Sequence, residues 1–202
     1  MESSSIYLVL GGARSGKSSF AEKIAGSSGL EVVYLATSEI RDHEMLLRVK
    51  KHREQRPKNW QTVEEPLHPE KVISEILKPS RIILLDCMTL WISNLLLHPD
   101  LPNRKAGVEE KERYILDKVK TMLALLKTSG SPAILVSNEV GYGIVPDNPL
   151  ARTYRDIAGR VNQLCARYAK EVFLVIAGIP VELKSLSIDS LAFWQRSVNN
   201  ER

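Results

Sequence analysis

Residues 6–18 read Ile-Tyr-Leu-Val-Leu-Gly-Gly-Ala-Arg-Ser-Gly-Lys-Ser. The apolar run at 6–10 is short and rich in aliphatic side chains, which predicts a buried strand. Two glycines follow at once, and a helical pattern extends from Lys17 to about Ala25. A buried strand, a glycine-rich turn and a helix in this order are typical of proteins built on a parallel sheet.

The turn matches G-x-x-x-x-G-K-[ST] and lies between a strand and a helix, the context in which this pattern binds nucleotide phosphates. Its glycines let successive backbone N–H groups face an anion, and the following helix adds its dipole. Lys17 is then expected to reach the β- and γ-phosphates, and Ser18 to hold Mg²⁺. A turn that binds nothing is the disfavoured alternative. The predicted contacts are Gly11, Gly12, Ala13, Arg14, Ser15, Gly16, Lys17 and Ser18.

The rest of the chain alternates apolar runs with helical patterns. Further strands are predicted at 31–35, 81–85, 133–136 and 172–176, and helices at 41–55, 69–77, 108–127 and 150–170. Strands separated by helices of this length indicate βαβ units. We therefore predict an α/β fold of the P-loop NTPase type, a mostly parallel sheet with helices on both faces. Residues 1–184 are expected to form one nucleotide-binding domain, and 185–202 a tail without an assigned role.

Composition and charge argue against several classes of protein. The 202 residues are 44% hydrophobic and carry a net charge of +4, which argues against disorder. The longest apolar stretch, 81–97, is interrupted by four polar residues, so no membrane span is expected. Two cysteines without a CxxC pair fit a reducing cytosol, so a cytoplasmic location is predicted. Much of the positive charge gathers at 41–56, which favours a triphosphate pocket over nucleic-acid binding.

Two single residues are candidates for chemistry. On a helix over 41–56, His52 follows Met45 and Val49 at helical spacing, on the apolar stripe. Nearby cations favour a neutral imidazole, which could attack an α-phosphate and form a phosphoramidate, but a packed core histidine is an equally good interpretation. Asp86 ends a predicted strand. This placement favours a second Mg²⁺ contact, although Asp also suits a helix N-cap.

Longer motifs carry a resemblance to a known family. They are GGARSGKS at 11–18, ATS at 36–38, EMLLRVKKHREQRP at 44–57, NEVGYGIVP at 138–146 and LARTYRDIAGRVNQ at 150–163. Together these motifs resemble the bifunctional adenosylcobinamide kinase/adenosylcobinamide-phosphate guanylyltransferase family of cobalamin biosynthesis. The similarity runs in register from about residue 8 to residue 184.

The resemblance implies an enzyme that phosphorylates adenosylcobinamide with ATP or GTP. It then takes GMP from GTP onto a histidine and passes it on, giving adenosylcobinamide-GDP. The family's histidine maps onto His52; some members carry two adjacent histidines, and this chain has Lys51 at the first position. A homotrimer is also implied. Further nucleotide contacts map onto Ala36, Thr37, Ser38, Arg53, Glu54, Gln55, Arg56, Glu64 and Asp86.

Two other functions stay open from the sequence. One is a P-loop NTPase that acts as a switch or with nucleic acid, which the lack of a base-reading motif disfavours. The other is a kinase without guanylyltransferase activity, which Lys51 beside His52 makes worth testing. Glu64 follows a strand-like segment and could hold a ribose hydroxyl, but a solvated surface carboxylate is as good an interpretation.

Overall fold

The computed structural model describes residues 5–39, 53 and 56–188. Within these residues the chain forms seven strands and five helices. The strands are β1 (Ile6–Gly11), β2 (Glu31–Ala36), β3 (Gln61–Glu64), β4 (Arg81–Asp86), β5 (Ala133–Asn138), β6 (Glu171–Ile176) and β7 (Ile179–Glu182). The helices are α1 (Lys17–Gly26), α2 (Pro69–Ile76), α3 (Met88–Leu97), α4 (Val108–Thr128) and α5 (Pro149–Tyr168).

The strands form one sheet in the order β3-β2-β4-β5-β1-β6-β7. Neighbouring strands are parallel except for β6 and β7, which form an antiparallel hairpin at one edge. The predicted mostly parallel α/β sheet is therefore confirmed. In the register, Gly11 on β1 pairs with Asn138 on β5, and Ala36 on β2 pairs with Asp86 on β4. The carboxyl ends of four strands thus meet at the edge of the sheet where ligands bind in such folds.

Both faces of the sheet are covered, because alternate residues of each strand point in opposite directions. Leu8 and Leu10 of β1 join an apolar core shared with α2, α3, α4 and α5. Val9, between them, joins a second core on the opposite face, where α1 buries Ala21 and Ala25. The prediction of helices on both faces is therefore confirmed. The packing of Ala21 and Ala25 fixes α1 against the sheet, directly after the glycine-rich turn.

The sequence pattern missed two elements. Helix α3 is buried nearly all round and continues the apolar run of β4, so it has no polar face by which periodicity could separate it from the strand. Strand β7 was missed because Pro180 lowers strand propensity. The glycine at 178 could have indicated a tight hairpin turn before β7, because Ala177 and Gly178 form that turn with φ of 51° and 80°.

Other boundaries differ by a few residues. The helix predicted at 150–170 ends at Tyr168, and the strand predicted at 133–136 continues to Asn138. The helix predicted at 108–127 ends one residue later, at Thr128. The helix predicted at 41–55 lies outside the described residues apart from Arg53, and so does the tail beyond residue 188.

Candidate nucleotide-binding site

The phosphate loop, residues 11–18, is held in a curled form by contacts that only glycine permits at two positions. A Cβ on Gly11 would lie 2.4 Å from Ser15 Oγ and 2.7 Å from the backbone oxygen of Val175. Gly16 has a φ of 94°, in the left-handed region that favours glycine. The backbone N–H of Gly178 donates to Ser15 O at 2.8 Å. The β6–β7 turn thereby supports the loop from behind.

A cleft of about 560 Å³ opens above the loop. Its volume falls within the usual range for small-molecule sites. Eleven of the predicted contact residues line it: Ala13, Arg14, Ser15, Gly16, Lys17, Ser18, Ala36, Ser38, Arg56, Glu64 and Asp86. Residues distant in sequence therefore meet around one cleft, as the parallel topology requires.

A second groove, of about 910 Å³, lies between α1 and the β6–β7 hairpin. Its walls include Tyr7, Phe20 and Pro180, and they are mainly apolar. Of the predicted contacts, Gly16 lines it. Because a triphosphate needs convergent charged and polar groups, the smaller cleft is the better candidate site.

The polar groups of the loop suit an anion. Lys17 Nζ donates to Gly12 O at 3.3 Å, a long contact for which a phosphate would compete strongly. Ser18 and Asp86 both line the cleft and offer a hydroxyl and a carboxylate oxygen, hard ligands of the kind that Mg²⁺ prefers. Among the described residues, no group of three or more acidic, histidine or cysteine side chains is arranged so that it could hold a metal ion by itself. The donor set fits a Mg²⁺ ion held partly by substrate phosphates.

A buried tyrosine connects two of the predicted contacts. The Tyr34 hydroxyl donates to Asp86 Oδ2 at 3.0 Å, and the Arg56 guanidinium carbon lies 3.3 Å from the centre of the Tyr34 ring. Burial, and then the Asp86 charge, raise the pKa of Tyr34 above its ordinary range, so the phenol stays protonated and can donate. The sequence does not mark Tyr34 as a site residue, because it lies inside an apolar strand. A tyrosine inside an apolar strand does indicate a buried hydroxyl, and such a hydroxyl needs a hydrogen-bond partner.

The remaining predicted site residues are paired with protein groups or lie outside the described residues. Arg53 forms an ion pair of 2.5 Å with Glu64 at the end of β3, and both side chains are exposed to solvent. Thr37 is fully buried: its hydroxyl donates to Cys87 O at 2.7 Å and accepts from the Cys87 N–H at 3.0 Å. Its side chain therefore joins β2 to the segment after β4. His52, Glu54 and Gln55 lie outside the described residues.

Comparison with known proteins identifies the family. The sequence model of the family described as cobinamide kinase / cobinamide phosphate guanyltransferase matches residues 7–183. The chain belongs to this family. Its match covers the phosphate loop, the cleft and the segment that contains His52. The chain is therefore an enzyme of a family that combines kinase and guanyltransferase activities, as the resemblance implied.

Two relatives support this assignment. The chain is 44% identical over 181 residues to the bifunctional adenosylcobalamin biosynthesis protein CobU of Escherichia coli strain K12, covering 89% of this chain and 99% of that protein. It is 45% identical over 181 residues to the protein of the same name from Salmonella typhimurium, with the same coverage.

The fold also occurs among solved structures. A protein from Pyrococcus horikoshii OT3 superimposes with a TM-score of 0.52 at 10% identity, covering 90% of this chain and 87% of that one. Within the described part of the chain, no helix combines the length and apolarity needed to cross a bilayer.

Proposed function

We propose that this chain phosphorylates the hydroxyl of adenosylcobinamide with ATP or GTP, and then transfers GMP from GTP to the new phosphate through a guanylyl group on His52. The family membership supports both reactions. The observation that carries the site is the cleft that brings Lys17, Arg56, Glu64 and Asp86 together from four different parts of the chain.

The cleft residues have complementary tasks in these transfers. Lys17 and the loop N–H groups would bind the β- and γ-phosphates, and Arg56 would offset charge developing on the reacting phosphate. Ser18 and Asp86 would hold Mg²⁺, which supplies charge neutralisation of the leaving pyrophosphate when bound. The Tyr34 hydroxyl orients the Asp86 carboxylate, and its ring supports Arg56. Glu64 would accept from a ribose hydroxyl.

Guanylyl transfer divides into two in-line displacements. In the first, a neutral His52 nitrogen bonds to the α-phosphorus, the bond to the bridging oxygen breaks, and pyrophosphate leaves. In the second, a phosphate oxygen of adenosylcobinamide phosphate bonds to that phosphorus. The phosphorus–nitrogen bond then breaks, and its electron pair returns to the imidazole. Lys51 and Arg53, the cationic neighbours of His52 in the sequence, would favour the neutral imidazole and attract the triphosphate at the same time.

The finer features of the assignment belong to the same proposal. We infer that residues 1–184 form one catalytic domain, that the enzyme is a cytoplasmic homotrimer and that it requires Mg²⁺. Nucleic acid is not a substrate in this proposal. The family resemblance supports the trimer, and the local gathering of positive charge supports a small anionic ligand over a polynucleotide.

The test is covalent labelling. Incubation with Mg²⁺ and α-³²P-labelled GTP should leave an acid-labile, alkali-stable label on the protein, and γ-labelled GTP should leave none. His52→Asn should abolish the label. His98→Asn is the matched control, because His98 accepts a hydrogen bond from the Asp100 N–H in a loop remote in sequence from the phosphate loop. Retention of the GMP label by His52→Asn would contradict the mechanism.

One alternative keeps the kinase and lacks the transferase step, and Lys51 beside His52 is the observation that favours testing it. That enzyme would convert adenosylcobinamide to its phosphate with ATP but take up no label from α-labelled GTP. Product analysis by chromatography, run beside the labelling assay, separates the two possibilities.

A further inference from the structure

Asn138 ends β5 and lines the cleft beside the phosphate loop. Its Oδ1 atom is shielded from solvent and has no hydrogen-bond partner in the structure. Nearly all buried polar atoms of folded proteins are paired, so an unpaired acceptor in a ligand cleft calls for an explanation. A bound group that donates a hydrogen bond would supply one.

The Asn138 side chain is fixed in place by buried neighbours. Its Nδ2 donates to Thr89 Oγ1 at 3.0 Å, and Thr89 is 1% exposed. The same Thr89 oxygen lies 3.1 Å from Cys87 Sγ. Because the two arms of an amide diverge from one carbon, anchoring Nδ2 on Thr89 sets the direction of Oδ1. The acceptor is therefore preorganised before any ligand arrives.

Further hydrogen bonds extend this support into α3 and α5. Asn162 Nδ2 donates to the main-chain oxygen of Asn138 at 3.1 Å, and Ser137 Oγ donates to Asn162 Oδ1 at 2.6 Å. The Tyr154 hydroxyl donates to the main-chain oxygen of Thr89 at 3.3 Å. Buried polar networks of this kind rigidify what they hold. Within this network Oδ1 of Asn138 has no partner, and it belongs to a side chain that lines the cleft.

The position of Asn138 relates it to the phosphates. Asn138 and Gly11 are paired in the register of β5 and β1, and the Glu139 N–H donates to Gly11 O at 3.0 Å. Ser15 Oγ, which is also buried and unpartnered, lies 2.4 Å from the point a Gly11 Cβ would occupy. Two unused polar atoms thus flank the end of β1, where the loop is built to hold the terminal phosphates.

We propose, on the basis of the proposed function, that Asn138 Oδ1 accepts a hydrogen bond from the substrate hydroxyl in the kinase step. This hydrogen bond orients the oxygen of the hydroxyl toward the γ-phosphorus. The hydroxyl oxygen bonds to that phosphorus, and the bond to the β–γ bridging oxygen breaks. A neutral amide takes no proton, so the hydroxyl proton passes to an oxygen of the transferred phosphoryl group. Asn138 is then a catalytic residue that acts by orientation.

The opposite amide orientation makes a different prediction. If Oδ1 accepted from Thr89 and Nδ2 faced the cleft, Asn138 would donate to a phosphate instead. Asn138→Asp separates these cases, since a carboxylate still accepts from a hydroxyl but repels a phosphate. Thr89→Val removes the oxygen that anchors the amide, and Thr89→Ser restores it.

The test compares these variants in two assays on the full chain. One measures kcat and KM for phosphorylation of adenosylcobinamide with ATP, and the other measures GMP labelling from α-labelled GTP. We expect Asn138→Ala to lower the kinase kcat by about 10–100-fold, with the KM for ATP and the GMP label unchanged. Asn138→Asp should retain more kinase activity than Asn138→Ala. Thr89→Val should fall between wild type and Asn138→Ala, and Thr89→Ser should approach wild type.

Several results would overturn the inference. Full kinase activity in a folded Asn138→Ala variant would do so, with folding checked by thermal melting. An equal loss of GMP labelling, or an Asn138→Asp variant less active than Asn138→Ala, would assign the side chain to a phosphate instead. A wild-type enzyme without kinase activity would overturn the proposed function and the inference together. An active wild type matched by Asn138→Ala would overturn the inference alone.

Discussion

Gly11 and Gly12 are adjacent, yet the structure predicts opposite outcomes when each is replaced by alanine. A Cβ on Gly11 would approach Ser15 Oγ to 2.4 Å and the Val175 backbone oxygen to 2.7 Å. Contacts under 3.0 Å are essentially never seen for real Cβ atoms, and here one of the two neighbours is backbone. Around Gly12 nothing lies within 4 Å of the new carbon. The pair is therefore a matched test of steric fit within one loop.

The expected loss of stability in Gly11→Ala follows from overpacking. Forcing an extra methyl group into a packed site typically costs about 1–3 kcal/mol, because side chains and backbone must shift. For a chain of this length each kcal/mol lowers the Tm by about 2–4 °C. Gly11→Ala should therefore reduce the free energy of unfolding by about 1–3 kcal/mol and the Tm by about 2–12 °C. Gly12→Ala should stay within about 0.5 kcal/mol of wild type, as open surface positions do.

The assay is urea unfolding and calorimetry of both variants without nucleotide. Omitting the ligand matters, because either methyl group could also hinder a phosphate. Nucleotide affinity is then measured separately by titration calorimetry, and we expect Gly11→Ala to weaken it because the loop must move away from Val175 O. Equal stability of the two variants, or a greater loss in Gly12→Ala, would refute the assignment of the loop conformation to contact with β6.

Three further predictions concern buried or paired groups. Tyr34→Phe removes the hydrogen bond to the Asp86 carboxylate and should lower the free energy of unfolding by about 1–3 kcal/mol in urea melts; an unchanged value would mean that this contact contributes nothing. Hydrogen bonds from backbone N–H groups, of which that from Val172 has the largest effect, lower the pKa of Glu182 to about 2 from its ordinary 4.5. Its stabilisation is present above pH 4.5 and is lost as the pH falls through 2, so wild type should lose stability relative to Glu182→Gln across that window in acid melts. Burial raises the pKa of the Cys87 thiol to about 11, so both buried cysteines should resist iodoacetamide at pH 7.5 until urea unfolds the chain; mass spectrometry of alkylated native protein would reveal any exception.

The phosphate loop was predictable because its signal is local. A strand, two glycines and a lysine at the start of a helix constrain one another within thirteen residues, and the structure builds β1, the loop and α1 where that pattern indicated. Asp86 was predictable for a similar reason: a carboxylate directly after an apolar run marks the end of a buried strand.

The supporting contacts were not predictable because they join residues about 50 positions apart. Tyr34 reaches Asp86, and Thr37 reaches Cys87, each between neighbouring strands or the segments that follow them. Asn138 reaches Thr89 on α3, the helix that follows the neighbouring strand β4. Which strands are neighbours depends on the order β3-β2-β4-β5-β1-β6-β7, and crossovers make that order differ from the order along the chain. Local sequence patterns therefore predict candidate ligand contacts, whereas the strand order determines which residues support them.

Pro180 lies on β7, the strand that closes one edge of the sheet. The Leu183 N–H donates to Val172 O, and alternation along an antiparallel strand then directs the nitrogen of residue 180 away from β6. Proline has no N–H, so this outer edge lacks a donor at its centre and offers a poor template for another strand. The opposite edge, β3, is four residues long. Copies of this protein should therefore join through side chains rather than by extending one continuous sheet.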